Sequence, residues 1–302
     1  MPRLMILLAM LCFAGPAWAN GMRERLVTTP AWLARHLEDR DLVILQVGDK
    51  AAYAAGHIPG ARLVTLADIA APPSGLAPLI LEMPQPEALR ARLVAFGVSD
   101  RSRIVVVPTR EGIQSATRVV FTLDAAGLGA RTRLLEGGTP AWMAEGRKTT
   151  TEPPKIAPGH LSRLTFRPLL ADAAFVRGHV TAPGYVVVDA RAPDFYSGAR
   201  TGGAPTRPHK TGHIAGARSV PFASVTTEDL KLASPEAIAA QFKAAGVRPG
   251  DTVIAYCHVG QQASATLFAA RSLGLKALLY DGSFEEWSRL DGAVATTPQP
   301  GR

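Results

Sequence analysis

The segment TVIAYCHVGQQASATLFAARSLG, residues 252–274, sets a cysteine at the end of a β-branched run and directly before an alanine-rich helical pattern. Successive backbone N–H groups in CHVGQQ, residues 257–262, can turn inward as an anion cradle. The helix behind them adds the positive end of its dipole. A thiolate at the centre of such a cradle has a lowered pKa and is a nucleophile. Gly260 permits the backbone conformation that the turn demands. The competing reading is an inert cysteine packed as a small hydrophobe. A phosphatase would use the same cradle, but that chemistry needs an arginine closing the loop on the phosphoryl oxygens. Here the loop closes on Ala263 and Ser264, and the next arginine is Arg271. One cysteine with scattered histidines lacks metal-ligand spacing. The reading therefore calls for no metal and no cofactor.

Cysteine usage sharpens the case. The chain holds two cysteines, Cys12 and Cys257. Cys12 lies in a stretch that reads as an export signal over residues 1–19. Arg3 precedes the apolar run LMILLAMLCFA, and Ala17-Trp18-Ala19 gives a small-x-small site with cleavage expected before Asn20. The eleven apolar residues of that run are too few to span a bilayer, which takes about 20. A lipoprotein reading would use Cys12, but Leu11 is too large for the preceding position. The exported chain would be periplasmic, with Cys257 as its lone thiol. Such a thiol suggests intermolecular pairing or reactivity.

The net charge is +8. Lys and Arg are scattered singly, with no basic run and no interleaved aromatic platform, so nucleic acid is not an expected partner. A basic surface favours small anions. No stretch after residue 20 is long and apolar enough to span a membrane.

The elements that must position the cysteine emerge from an internal repeat. GHIPGAR at 56–62 returns as GHIAGAR at 212–218. LVILQVGDKAAYAAG at 42–56 matches VVVDARAPDFYSG at 186–198, with Tyr53 facing Tyr196. IVVVPTREGIQSA at 104–116 matches VIAYCHVGQQAS at 253–264, and LLEGGTPAW at 134–142 matches LYDGSFEEW at 279–287. Each copy is domain-sized. The domains are expected at 25–146 and 166–295, with a Pro/Thr-rich linker at 147–165. Continuous β-branched runs such as LVILQV and TVIAYC fit strands buried on both faces. Helical patterns ending in glycine alternate with them. The fold class is α/β, with a parallel sheet in each domain flanked by helices on both faces. Sites in such folds form at the carboxyl ends of strands, where Cys257 stands.

The duplication, the GHIxGA block, the VDAR strand end, the six-residue cysteine loop and the DGSFEEW block resemble the tandem-domain rhodanese family, the thiosulfate and 3-mercaptopyruvate sulfurtransferases. The resemblance covers the chain from about residue 25 to 292. It implies two domains, each with a five-stranded parallel sheet, and catalysis in the second domain alone. It implies that Cys257 accepts a sulfane sulfur from a small anionic donor, thiosulfate first, becoming a persulfide. The sulfur then passes to a thiophilic acceptor such as cyanide or a thiol, by double displacement. His258, Val259, Gly260, Gln261 and Gln262 would be the cradle. Arg191 would face the donor, with an ion pair to Asp189 or Asp194 as the alternative. His213 would hold the loop before the next strand, and Trp142 and Trp287 would be core. The loop departs from the family's Arg-Lys-Gly variant, so Arg191, with Arg207 or Lys210 from the insertion at 201–210, would have to supply the cations. A second reading makes the protein a persulfide carrier for a specific sulfur-acceptor protein. In the first domain the alignment puts Thr109 at the cysteine position, Gln46 opposite Asp189 and Gly48 opposite Arg191. That domain is expected to be silent and to wall the cleft.

Overall fold

The computed structural model describes residues 16–75 and 78–297. Most of the stretch read as an export signal, residues 1–15 with Cys12, lies outside the described residues. In chain order the first half runs α1 (Pro16–Leu26), β1 (Val27–Thr28), α2 (Pro30–His36), β2 (Leu42–Val47), α3 (Lys50–Ala55), β3 (Arg62–Val64), α4 (Pro86–Ala95), β4 (Arg103–Val107), α5 (Ile113–Ala125), β5 (Thr132–Leu135) and α6 (Gly138–Ala144). The second half runs β6 (Leu170–Ala171), α7 (Ala173–His179), β7 (Tyr185–Asp189), α8 (Pro193–Ser197), β8 (Gly203–Ala204), β9 (Arg207–Pro208), β10 (His213–Ile214), β11 (Arg218–Ser219), α9 (Pro235–Ala244), β12 (Thr252–Tyr256), α10 (Gln261–Ser272), β13 (Lys276–Tyr280), α11 (Ser283–Trp287) and β14 (Val294–Ala295).

Each half builds a five-stranded parallel sheet, in the order β1-β5-β4-β2-β3 and β11-β7-β12-β13-β6. The two orders are the same order read from opposite edges, as the repeat requires. All six residues of β2 are buried, which is why its sequence is apolar but for Gln46, whose side-chain oxygen accepts the Ile58 N–H. The chain leaves the central strands β12 and β7 in opposite directions across the sheet. Their carboxyl ends therefore open a crevice at the switch point.

The halves meet through α5 and α10. Nearly every residue of α5 is buried, because one face covers its own sheet and the other meets α10. A single apolar cluster runs from Leu26 through Val106, Val119 and Phe268 to Leu279, so the two domains share a core. The segment expected as a free linker is packed instead. Thr150 pairs with His57 as an antiparallel bridge, Ser162 N–H donates to Asp100, and Leu161 and Leu164 are buried. Ahead of residue 25, Arg23 of α1 binds Glu136 at 2.7 Å and the carbonyls of Leu232 and Ala233 in the other domain. Trp142 and Trp287 are both core, each donating its indole N–H to a carbonyl, of Lys148 and Ala293.

Candidate active site

The site is built at the end of β12. Its ladder with β7 pairs Tyr256 with Asp189, so Cys257 and Ala190 leave the sheet side by side. Ser283 sits at φ 52 at the start of α11, and its hydroxyl accepts the Cys257 N–H at 3.3 Å while donating to the Tyr280 carbonyl. Phe284 N–H then donates to the Cys257 carbonyl. These bonds fix the cysteine backbone before the loop turns. Gly260, at φ 82, caps α10, and its carbonyl accepts the Ser264 hydroxyl.

Cys257 is 1% exposed. Burial pushes its thiol above the usual range, and the backbone N–H groups of Ala263, Val259, Gln262 and Gly260 pull it back down. Of the five residues expected in the cradle, Val259, Gly260 and Gln262 are among these donors, and Ala263 joins them. The expectation that the cradle leaves the resting thiol with a lowered pKa is corrected. Desolvation of the thiolate outweighs four neutral N–H donors. Gln261 turns away from the sulfur and donates its amide to Ser115 Oγ of α5 at 2.8 Å. Gln262 keeps a buried side-chain oxygen without a hydrogen-bond partner.

Arg191 is near Cys257 but is no free cation. It is 1% exposed. Nε and Nη2 bind Asp189 at 2.6–3.1 Å, Nη2 also donates to the Gly212 carbonyl, and the guanidinium lies 4.0 Å from the Phe284 ring centre. The alternative reading, a pair with Asp189, describes its geometry. The expectation of a cation facing the donor is corrected to that of a guanidinium already paired. Lys210 is likewise committed, with Nζ donating to the carbonyls of Leu290 and Gly292. Arg207 is exposed on the β8–β9 hairpin. His213 stacks on Tyr196 at 3.7 Å and bonds its carbonyl, a structural role that His57 repeats on Tyr53.

The insertion folds as that short hairpin and lays His209 against His258, with the two Nδ1 atoms 3.5 Å apart. His258 meets the Phe195 edge and His209 the Phe284 edge. Burial, then the charge of Arg191, lowers the pKa of both, that of His258 to about 3. Gly202 allows the approach, since a Cβ there would lie 2.6 Å from the His258 ring. Arg200, which also depresses His258, stacks on Phe195 at 4.0 Å and pairs with Asp194. Sequence reasoning missed His209, Arg200 and Ser283. Only Ser283 carried a signal, as the partner of Gly138 in the repeat.

The first domain's equivalent loop is one residue longer. Gln46 pairs with Val107 as Asp189 pairs with Tyr256, and Thr139 N–H donates to the Pro108 carbonyl as Phe284 N–H donates to that of Cys257. The residue in the cysteine position is therefore Pro108. The expectation of Thr109 is corrected, because sequence alone could place the extra residue anywhere in the loop. Thr109 donates its hydroxyl to the Val47 carbonyl.

A two-domain α/β protein with a buried cysteine held in a ring of backbone N–H groups is the class this geometry defines. The chain matches the Rhodanese-like domain over residues 29–145 and 172–290. It belongs to the rhodanese family. It is 32% identical to a probable 3-mercaptopyruvate sulfurtransferase of Pseudomonas aeruginosa, over 88% of this chain and 96% of that one. It is 30% identical to a thiosulfate sulfurtransferase of Azotobacter vinelandii, over 87% and 93%. It is 28% identical to the sulfur carrier protein TtuD of Thermus thermophilus, over 89% and 95%. The crystal structure of YnjE superposes with a TM-score of 0.80 at 26% identity, covering 91% of this chain and 69% of that one.

Proposed function

We propose that the protein is a sulfurtransferase in which Cys257 carries the sulfur, with thiosulfate as donor. The observation that carries this is the ring of N–H groups from Ala263, Val259, Gln262 and Gly260 around the Cys257 sulfur. Such donors stabilise an anionic sulfur without needing a mobile cation. The Cys257 thiolate attacks the outer sulfur of thiosulfate. The S–S bond of the donor breaks, sulfite leaves with the electron pair, and Cys257 is left as a persulfide anion. An acceptor such as cyanide then attacks the outer persulfide sulfur, and thiocyanate leaves with the thiolate regenerated. Once Cys257 is deprotonated, neither step moves a proton. That suits a site whose two imidazoles are held neutral and have no proton to give at neutral pH. Mercaptopyruvate would instead need a proton delivered to carbon as its C–S bond breaks. Arg200 at the Phe195 rim is the cation best placed to meet an incoming dianion.

The test is thiocyanate release with thiosulfate or mercaptopyruvate as donor, each with cyanide. Turnover with thiosulfate above mercaptopyruvate is expected. The reverse order would reassign the donor. A stoichiometric persulfide without turnover on cyanide would make the protein a carrier, as the name of its Thermus relative suggests.

We also propose export to the periplasm with cleavage before Asn20, supported by Arg3, the apolar run and Ala17-Trp18-Ala19. N-terminal sequencing of exported protein should read Asn-Gly-Met. A retained Met1 would refute it.

A further inference from the structure

The silent domain sends a buried cation to the back of the cysteine loop. Arg118 of α5 is 0% exposed. Its Nη2 donates to the Leu81 carbonyl and lies 2.8 Å from Asp281 Oδ1, too poorly aligned for a hydrogen bond to that oxygen. Its Nε and Nη1 have no hydrogen-bond partner. Nη1 lies 2.8 Å from where a Cβ on Gly260 would stand. Gly260 is the left-handed residue whose N–H helps to hold the Cys257 sulfur. One turn earlier on the same helix, Ser115 accepts the Gln261 amide. Two contacts from α5 thus hold two adjacent residues of the loop.

A buried guanidinium with two of its three nitrogens unbonded is costly, and its one hydrogen bond within its own domain, to the Leu81 carbonyl, leaves that cost in place. The repeat makes the asymmetry plain. At the matching stretch of α10 stand Ala265 and Thr266, and Thr266 donates to the Val220 carbonyl. At the first domain's Gly112 the three atoms nearest the Cβ position all belong to the neutral amide of Gln114. A cation stands nearest the glycine of the loop that carries the cysteine, and a neutral amide stands nearest the glycine of the loop that carries Pro108.

We propose that Arg118 is a positioning residue for the sulfur anion at Cys257. It fixes Gly260 from behind and places a positive charge on the far side of the N–H cradle, with Asp281 limiting how much of that charge the sulfur feels. This rests on Cys257 being the sulfur carrier, but its test does not require sulfur transfer.

The test is the pH dependence of Cys257 alkylation by iodoacetamide in the full chain, followed by intact mass. An opposite charge nearby lowers an acid's pKa by about 1–3 units, so Arg118→Gln should raise the alkylation midpoint by about one unit. Arg118→Lys should stay near the parent. Asp281→Asn should lower the midpoint, since it removes the counter-charge while Oδ can still accept the Met83 N–H. The other charged or titratable groups around the loop stay in place in all three. They are the Arg191–Asp189 pair at the end of β7, His258 with Arg200 and Asp194, His209 of the hairpin, Glu285, Glu286 and Arg289 of α11 and its end, and Glu82 beside Asp281. A purely structural role would move Arg118→Gln and Asp281→Asn in the same direction or move neither, and either result overturns the proposal. If Arg118→Gln does not fold, Asp281→Asn decides alone, with a lowered midpoint in support and an unchanged or raised one against. A parent that alkylates but transfers no sulfur would sink the sulfurtransferase reading and leave the effect of Arg118 on the Cys257 thiolate standing.

Discussion

At Cys257 two effects compete, and their balance sets what the thiol does at rest. Burial raises its pKa, so alkylation and sulfur uptake should both accelerate with pH through neutrality and beyond the usual thiol range. After incubation with thiosulfate, intact mass should show one added sulfur that reductant removes, and Cys257→Ser should show none. An adduct that survives in the serine variant would place the carrier elsewhere. Arg191 makes the opposite kind of prediction. Removing it leaves Asp189, 0% exposed, as a buried charge without its partner. Breaking such a pair from one side costs about 3–5 kcal/mol. Arg191→Ala should therefore lower the melting temperature strongly, and a parent-like melt would show that the pair is not the residue's main role. The cysteine was legible in the sequence because its position at a strand end is a local pattern. The fate of Arg191 was not. Asp189 and Arg191 sit two residues apart in any reading, but only the packing of Phe284 and the Gly212 carbonyl around them shows the pair closed off from solvent.

The β8–β9 hairpin had no counterpart in the first copy, and the sequence offered only Arg207 and Lys210 from it, as cations for the donor. Folded, it buries His209 against His258, and neither imidazole has room or partners for a charge. The sign of the resulting linkage is definite. Both folded pKa values lie below the ordinary histidine value of about 6.5, so the unfolded chain binds the extra protons as pH falls. The stability contributed by neutral His258 is present above about 6.5 and is lost progressively as pH drops toward its folded value of about 3. Melting temperature should fall from pH 7 to pH 4.5, and the slope should flatten in His258→Gln. An equal slope in both proteins would mean that the imidazole is charged or solvated in the fold. The strands and long helices around this hairpin were legible because each repeats its burial pattern in sequence. The hairpin's contact with the loop was not, since it joins residues 49 apart through a Gly202 that merely leaves space.

Across the whole molecule the two halves keep one plan and differ where chemistry would occur. Leu81 and Leu230 adopt left-handed backbone at matching places, each five residues before the proline that opens the next helix. Leu81 offers its carbonyl to Arg118 within its own domain, and Leu230 offers its carbonyl to Gly137 of the other domain. The repeat made this plan legible. It could not fix the loop register, because a one-residue gap costs an alignment nothing and only the β-ladders locate it. The register sharpens what the first domain can do. Pro108 stands where Cys257 would be, with Gln46 in place of Asp189 and Gly48 near Thr109 in place of Arg191. Proline brings neither thiol nor N–H, and the loop beyond it has an extra residue to turn. In the Cys257→Ser background, neither Pro108→Cys nor Thr109→Cys should restore sulfur transfer. A thiol at 108 would face a longer loop whose N–H groups are out of register with it. A thiol at 109 would occupy the space left by Gly48, where the present hydroxyl bonds the Val47 carbonyl. Thiocyanate release should stay at the level of the single serine variant in both. Near-parental turnover in either would show that the first domain is a complete site lacking only its sulfur.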